Sequence, residues 1–185
     1  KWLPDDIAPS VKFGFEMAVL NLIAVRRDEP LCRLICEKPR NSISVNGLLG
    51  GSPDEVMAKT GKLLERGYKA FKLKVGRRSV QEDADMTMSL RQRIGNEASL
   101  RLDANQAWST EEARAFSTAV AHCEIDYLEE PVRTLDQLQA LVNAPEVTLP
   151  FALDESLQKL DLEGLSSFSG IKAVVLKPTL WGFEK

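Results

Sequence analysis

The chain has 185 residues, 44% of them hydrophobic, which is enough for one substantial core. Its formal net charge of −3 gives no electrostatic footprint for nucleic acid or an anionic membrane surface. No apolar run approaches the roughly 18 residues of a membrane span, and the opening Lys1-Trp-Leu-Pro-Asp-Asp leads into an amphipathic segment rather than a signal sequence.

In chain order, residues 10–27 carry apolar side chains at Val11, Phe15, Ala18 and Leu22, the period of a buried helix. Residues 28–41 are rich in Pro, Arg and Asp and read as an irregular connection. Cys32 and Cys36 fall in it; with Cys123 they make an odd, irregularly spaced set that is no disulfide framework, so a reducing cytoplasm is the expected compartment. Only Cys123 and His122 remain to complete a zinc site, and plain thiols are the simpler reading.

From Ser42 a pattern repeats. Residues 42–49 alternate like a strand, and Ser52-Pro-Asp-Glu55 then combines an N-cap, a first-turn proline and a reciprocating glutamate. Residues 70–75 are the next strand, followed by the capping box Ser79-Val-Gln-Glu82. Residues 99–103 precede Ser109-Thr-Glu-Glu112, and residues 125–129 precede Thr134-Leu-Asp-Gln137. Residues 150–154 and 172–177 supply a fifth and a sixth strand. Capping boxes in phase with strands imply alternating β and α, hence a parallel sheet, either open and doubly wound or rolled into a barrel. The expected division is a short leading segment, 1–41, and a β/α domain, 42–185.

Each strand from the second onward ends on an ionisable side chain: Lys74, Asp103, Glu129, Asp154 and Lys177, each 23 to 29 positions after the last. In a β/α barrel this is the active-site end. Three converging carboxylates, Asp103, Glu129 and Asp154, repel one another unless a cation sits among them. Oxygen-only ligation points to a hard ion, Mg²⁺ ahead of Ca²⁺, with Mn²⁺ possible. Lys72 and Lys74, two apart on a strand, share a face. Each disfavours the other's proton, so one is expected to fall towards the range of a general base. A flipped strand would put both lysines under the helices and Phe71 and Val75 inside, which is worse. Asn105 stays on the face of Asp103, where a ligand or a neighbouring side chain is in reach. Arg101 lies one layer deeper, with a purely structural role and a pairing to a ligand carboxylate both open. Thr60-Gly61-Lys62 lacks the phosphate-loop frame, and a lone His122 gives a Ser-His-Asp triad little support.

These residues resemble the enolase superfamily and its muconate-lactonizing subgroup. The resemblance rests on Lys72-Leu-Lys74, Leu102-Asp103-Ala-Asn105, Leu128-Glu129-Glu130-Pro131, Leu153-Asp154-Glu155-Ser156 and Leu176-Lys177-Pro178, and covers about residues 10–185. Phe13-Gly-Phe-Glu-Met-Ala18, Asn46-Gly-Leu48, Arg101–Trp108 and Val175–Gly182 are similar to the o-succinylbenzoate synthases in particular.

The resemblance implies a TIM-type (β/α) barrel, here incomplete at about six strands, with Mg²⁺ on Asp103, Glu129 and Asp154. It implies that the substrate is a small-molecule carboxylate, that Lys74 removes the proton α to the carboxylate, and that Lys74 returns this proton to a departing hydroxide in a syn dehydration. Lys177 is then the cation that stabilises the enediolate, and Lys72 tunes Lys74. Glu130 is not assigned to the metal. The product would be 2-succinylbenzoate, a menaquinone precursor. Family members also carry a full capping domain, of which residues 1–41 would be the C-terminal remnant and connection, and two further barrel strands, so the chain is expected to be part of a longer gene product. Sister reactions on the same residues are dipeptide epimerisation, N-acylamino acid racemisation and muconate cycloisomerisation. A half-barrel without activity is a rival of another class, and metal-dependent phosphoryl transfer leaves the paired lysines without a task.

Overall fold

The structure, a computed structural model, describes residues 4, 6–160, 165 and 169–181. It divides into two compact units, one of residues 1–43 with 176–185 and one of residues 44–175. The strand–helix pattern of the sequence places the boundary at 41/42 and residues 176–185 with the β/α domain.

In the first unit, helix α1 (Pro9–Arg26) starts on a proline whose missing N–H costs nothing at that position. A short helix α2 (Leu31–Ile35) interrupts the segment expected to be irregular. After Lys177, Pro178–Trp181 form α7, which packs on α1. The expected buried face of α1 is corrected here: Val11, Phe15, Ala18 and Leu22 are exposed, with Leu22 at 57%. The better-covered stripe is Phe13, Met17, Leu20 and Ala24, also at helical spacing. The helix is apolar on more than one side, so its period alone did not choose the covered one.

The second unit is a run of strand–helix repeats. β1 (Gly47–Leu49) leads to α3 (Pro53–Glu65), β2 (Ala70–Lys74) to α4 (Val80–Ile94), β3 (Ser99–Asp103) to α5 (Thr110–Ala119), and β4 (Tyr127–Glu129) to α6 (Leu135–Val142). β5 (Phe151–Leu153) and β6 (Ile171–Val174) follow. All four capping boxes form: Ser52, Ser79, Ser109 and Thr134 each accept the backbone N–H three residues on, and Glu55, Glu82, Glu112 and Gln137 each accept from the cap backbone. These reciprocal bonds satisfy helix-end donors that would otherwise be orphaned.

The six strands are parallel and lie in the order β1-β2-β3-β4-β5-β6. A doubly wound sheet reverses direction at a switch point; this one does not. With right-handed crossovers throughout, sequential order puts every helix on one side, the winding of a barrel. Phe71, Leu73, Leu100, Leu102, Leu128 and Leu153 alternate along the strands and are fully buried. Their partners in the alternation, Lys72, Lys74, Arg101, Asp103 and Glu129, occupy the opposite face. No helix among the described residues is long and apolar enough to cross a membrane.

Candidate active site

Lateral register brings the strand ends together. Lys74 pairs with Asp103 across β2–β3, and Asp103 with Glu129 across β3–β4, so the three form one row. Glu129 stands opposite Ala152, two residues before Asp154. Asp103, Glu129 and Asp154 are all buried, none more than 5% exposed.

Burying carboxylates is costly without a partner, and the lysines provide one. Lys74 Nζ donates to Asp103 Oδ2 at 2.6 Å. Lys72 Nζ lies 3.0 Å from the same oxygen and donates to Glu129 Oε1 at 2.7 Å. Glu129 Oε2 is close to Lys72 too, but is buried and accepts no hydrogen bond.

Burial pushes the Glu129 carboxyl up to about 7, with the charges of Asp103 and Asp154 adding to the rise and Lys72 opposing it. Burial also works against the Asp103 anion, but the hydrogen bonds from Lys74 and Lys72 outweigh it and hold Asp103 below its usual range. For Lys72, burial favours the neutral amine; the hydrogen bonds to Glu129 and Asp103 outweigh this and raise its proton affinity. Lysine set against lysine predicts that one of the pair falls. Lys72 does the reverse, because its nearest charges are carboxylates.

The three carboxylates expected to hold a metal lie at the ends of neighbouring strands. Among the described residues, no group of three His, Cys, Asp or Glu side chains could hold a metal ion as it stands. The Lys72 ammonium bridges Asp103 and Glu129, and Lys74 pairs with Asp103, where a metal cation is expected. The donor set still suits a hard divalent ion: it is all oxygen, and Glu129 Oε2 is buried with no aligned hydrogen bond, held only by its 2.7 Å ion pair with Lys72. Such an ion would have to displace part of the Lys72 contact.

The remaining residues find different partners. Arg101 pairs not with a candidate ligand but with Asp126, at 3.4 Å, and with Asn46 Oδ1, at 2.8 Å, and lies over the Tyr127 ring. Its surroundings are those of a brace one layer below the site. Asn105 has a left-handed backbone, φ 46°, which asparagine tolerates better than most residues. Its Oδ1 accepts from Lys74 Nζ at 2.6 Å, and its backbone N–H donates to Asp103 Oδ1 at 3.1 Å. Lys177 belongs to the other unit, directly ahead of α7, and its carbonyl accepts the Leu180 N–H at 2.8 Å.

Two carboxylates given no site role by sequence are prominent. Glu130, 2% exposed with φ 43°, accepts from the N–H groups of Asp154 and Ser156, from the Ser156 hydroxyl and from the Gln106 amide. It therefore fixes the backbone that carries Asp154. Glu155 accepts from Asn105 Nδ2 at 3.3 Å, while its Oε2 is buried without a partner. The only sequence signal for either was its place directly after a candidate ligand. Strand alternation sends that neighbour to the other face; here the backbone leaves the strand first, through the left-handed Glu130 and through a 3₁₀ turn at Glu155–Lys159.

A family model described as Enolase C-terminal domain-like matches residues 55–173. The protein PHYLLO of Arabidopsis thaliana, chloroplastic, is 41% identical over 96% of this chain and 11% of its own length. An o-succinylbenzoate synthase of Aliivibrio fischeri is 31% identical over 96% of this chain, which spans 51% of that enzyme. A crystal structure of a dipeptide epimerase from Enterococcus faecalis is 29% identical with a TM-score of 0.71, covering 81% of this chain and 43% of that one. A TIM-barrel fold met in part, a parallel sheet wound in one direction and a family match across most of the repeats agree: the chain belongs to the enolase superfamily.

Proposed function

We propose that the protein carrying this chain is an o-succinylbenzoate synthase, dehydrating 2-succinyl-6-hydroxy-2,4-cyclohexadiene-1-carboxylate to 2-succinylbenzoate. The observation that carries the reading is the row Lys74–Asp103–Glu129, with Lys72 and Asp154 beside it, at the C-terminal ends of neighbouring strands. The 31% identity to a named synthase over nearly the whole chain supports the choice of reaction.

In this reading Asp103, Glu129 and Asp154 hold Mg²⁺, with Mn²⁺ as a substitute. When bound, the ion supplies Lewis-acid charge that makes the proton α to a carboxylate easier to remove. The Lys74 amine takes that proton from C1 of the ring and then gives it to the hydroxyl leaving from C6. The C–H and C–O bonds break, the ring becomes aromatic, and one water leaves. Lys72 keeps a positive charge beside Asp103 and Glu129, and Lys177 supplies a further cation for the developing enediolate. The expected setting is a cytoplasmic step towards menaquinone.

A dipeptide epimerase needs the same α-proton removal, followed by return of a proton to the opposite face. The test is to give the native gene product, with Mg²⁺, both the cyclohexadiene carboxylate and a dipeptide. Formation of 2-succinylbenzoate without change at the dipeptide Cα is expected; epimerised dipeptide with no dehydration would replace the synthase reading.

A further inference from the structure

We propose that Glu155 is a positioning residue for Lys74, acting through Asn105. The inference rests on the reading of Lys74 as the proton carrier and assigns a role to a side chain that this reading leaves idle.

The atoms form a chain. Glu155 Oε1 accepts from Asn105 Nδ2 at 3.3 Å, and Asn105 Oδ1 accepts from Lys74 Nζ at 2.6 Å. An asparagine amide has one donating end and one accepting end. A carboxylate can only accept, so Glu155 draws the NH₂ end towards itself and turns the oxygen towards Lys74. Without that constraint the amide can flip, and a flipped amide would point N–H groups at the lysine. The Asn105 backbone is pinned independently by its N–H to Asp103 Oδ1, at 3.1 Å, so the side-chain amide is the part left for Glu155 to set.

The consequence lies in the geometry of the amine. Asp103 Oδ2 and Asn105 Oδ1, each 2.6 Å from Nζ, engage two of its N–H bonds. In the neutral amine those are the only two N–H bonds, and the lone pair has the remaining direction to itself. The two acceptors thus orient the base as well as holding it. If Asn105 turns over, one acceptor is lost and the lone pair is no longer directed. Glu155 also keeps a buried oxygen with no hydrogen bond, a cost that a surface glutamate would escape by rotating outward.

The test uses the native gene product with Mg²⁺ and substrate deuterated at Cα, either the cyclohexadiene carboxylate or a dipeptide. Rapid quench follows the loss of deuterium in Glu155→Ala, Glu155→Gln and Glu155→Met. Methionine keeps the length of the stem and serves if alanine does not fold. The Ala or Met variant is expected to lose roughly 10- to 100-fold in the exchange rate, the scale of a misaligned reactive group, with substrate and Mg²⁺ affinities within about twofold of wild type. Gln retains a carbonyl that can accept from Asn105 and is expected to recover most of the rate. Wild-type exchange in Ala or Met, no rescue by Gln, or a loss explained by weaker Mg²⁺ binding overturns the proposal. If the unmodified protein exchanges neither substrate, the proton-transfer reading itself fails, an outcome distinct from failure of the Glu155 variants alone.

Discussion

Phe71 and Leu73 come from the same five-residue strand as Lys72 and Lys74, yet the two pairs meet opposite demands. The first pair is fully buried under helices, beside Leu100 and Leu102 of β3. The second lies on the other face among carboxylates, with side chains 16% and 26% exposed. One face gains stability from area removed from water, with no directional requirement. The other holds buried anions whose comfort depends on where a few nitrogens stand. The contrast shows how a strand separates its two tasks residue by residue: in β2 folding stability resides at 71 and 73 and chemistry at 72 and 74, and in β3 the same alternation sets Leu100 and Leu102 against Arg101 and Asp103.

Substitutions should therefore separate along the same line. Phe71→Ala is expected to cost about 3–5 kcal/mol in denaturant unfolding, the usual range for emptying a buried aromatic site. Where the variant folds, its Mg²⁺ affinity should stay near wild type; a large loss of affinity with little loss of stability would break the separation. Lys72→Met leaves Glu129 and Asp103 without their shared ammonium. Because Lys72 is partly exposed, a cost of about 2–3 kcal/mol without metal is expected, below that of a fully buried pair. Millimolar Mg²⁺ should recover part of it by binding the folded form, and recovery greater than that of the wild type is the outcome to look for in thermal melts. Ser52→Ala removes one cap and should cost about 1 kcal/mol wherever the site stands.

The caps also carry the smallest, pH-dependent effect. The bonds from Ser52, Ser79 and Ser109 hold Glu55, Glu82 and Glu112 below their usual range. A carboxyl whose folded value is depressed contributes stability above its unfolded value, and the contribution disappears as pH falls through the folded one. Replacing the three glutamates with alanine should thus lower the unfolding midpoint at neutral pH. The difference from wild type should close below the ordinary carboxylate range, and a difference that persists there would contradict the assignment.

Much of this was legible because it is local. A capping box spans four residues, strand alternation spans two, and all four boxes and six strands follow from those short rules, although the first strand covers only Gly47–Leu49 and the sixth ends at Val174, three residues before Lys177. The family residues Lys74, Asp103 and Glu129 sit at strand ends whose lateral register then aligns them, with Lys72 two residues before Lys74 on the same face. What the local rules leave open or miss is decided by a neighbour in space. Arg101 pairs with Asp126, 25 residues on, and nothing in its own strand announces that choice. Lys72 answers to Glu129, not to Lys74. Glu130 and Glu155 escape the alternation rule because the backbone turns just before or at them. The α1 period shows that the helix seeks cover, and apolar residues on several sides leave the covered side undecided.

The central claim is that Lys74 moves the proton. Lys74→Met in the native gene product, assayed with Mg²⁺ and the Cα-deuterated cyclohexadiene carboxylate, tests it most directly. The variant is expected to fold, to bind Mg²⁺, and to lose both deuterium exchange and product formation by about 100-fold or more, the scale of a missing general base. A folded Lys74→Met protein that exchanges deuterium and forms 2-succinylbenzoate at the wild-type rate would contradict the account.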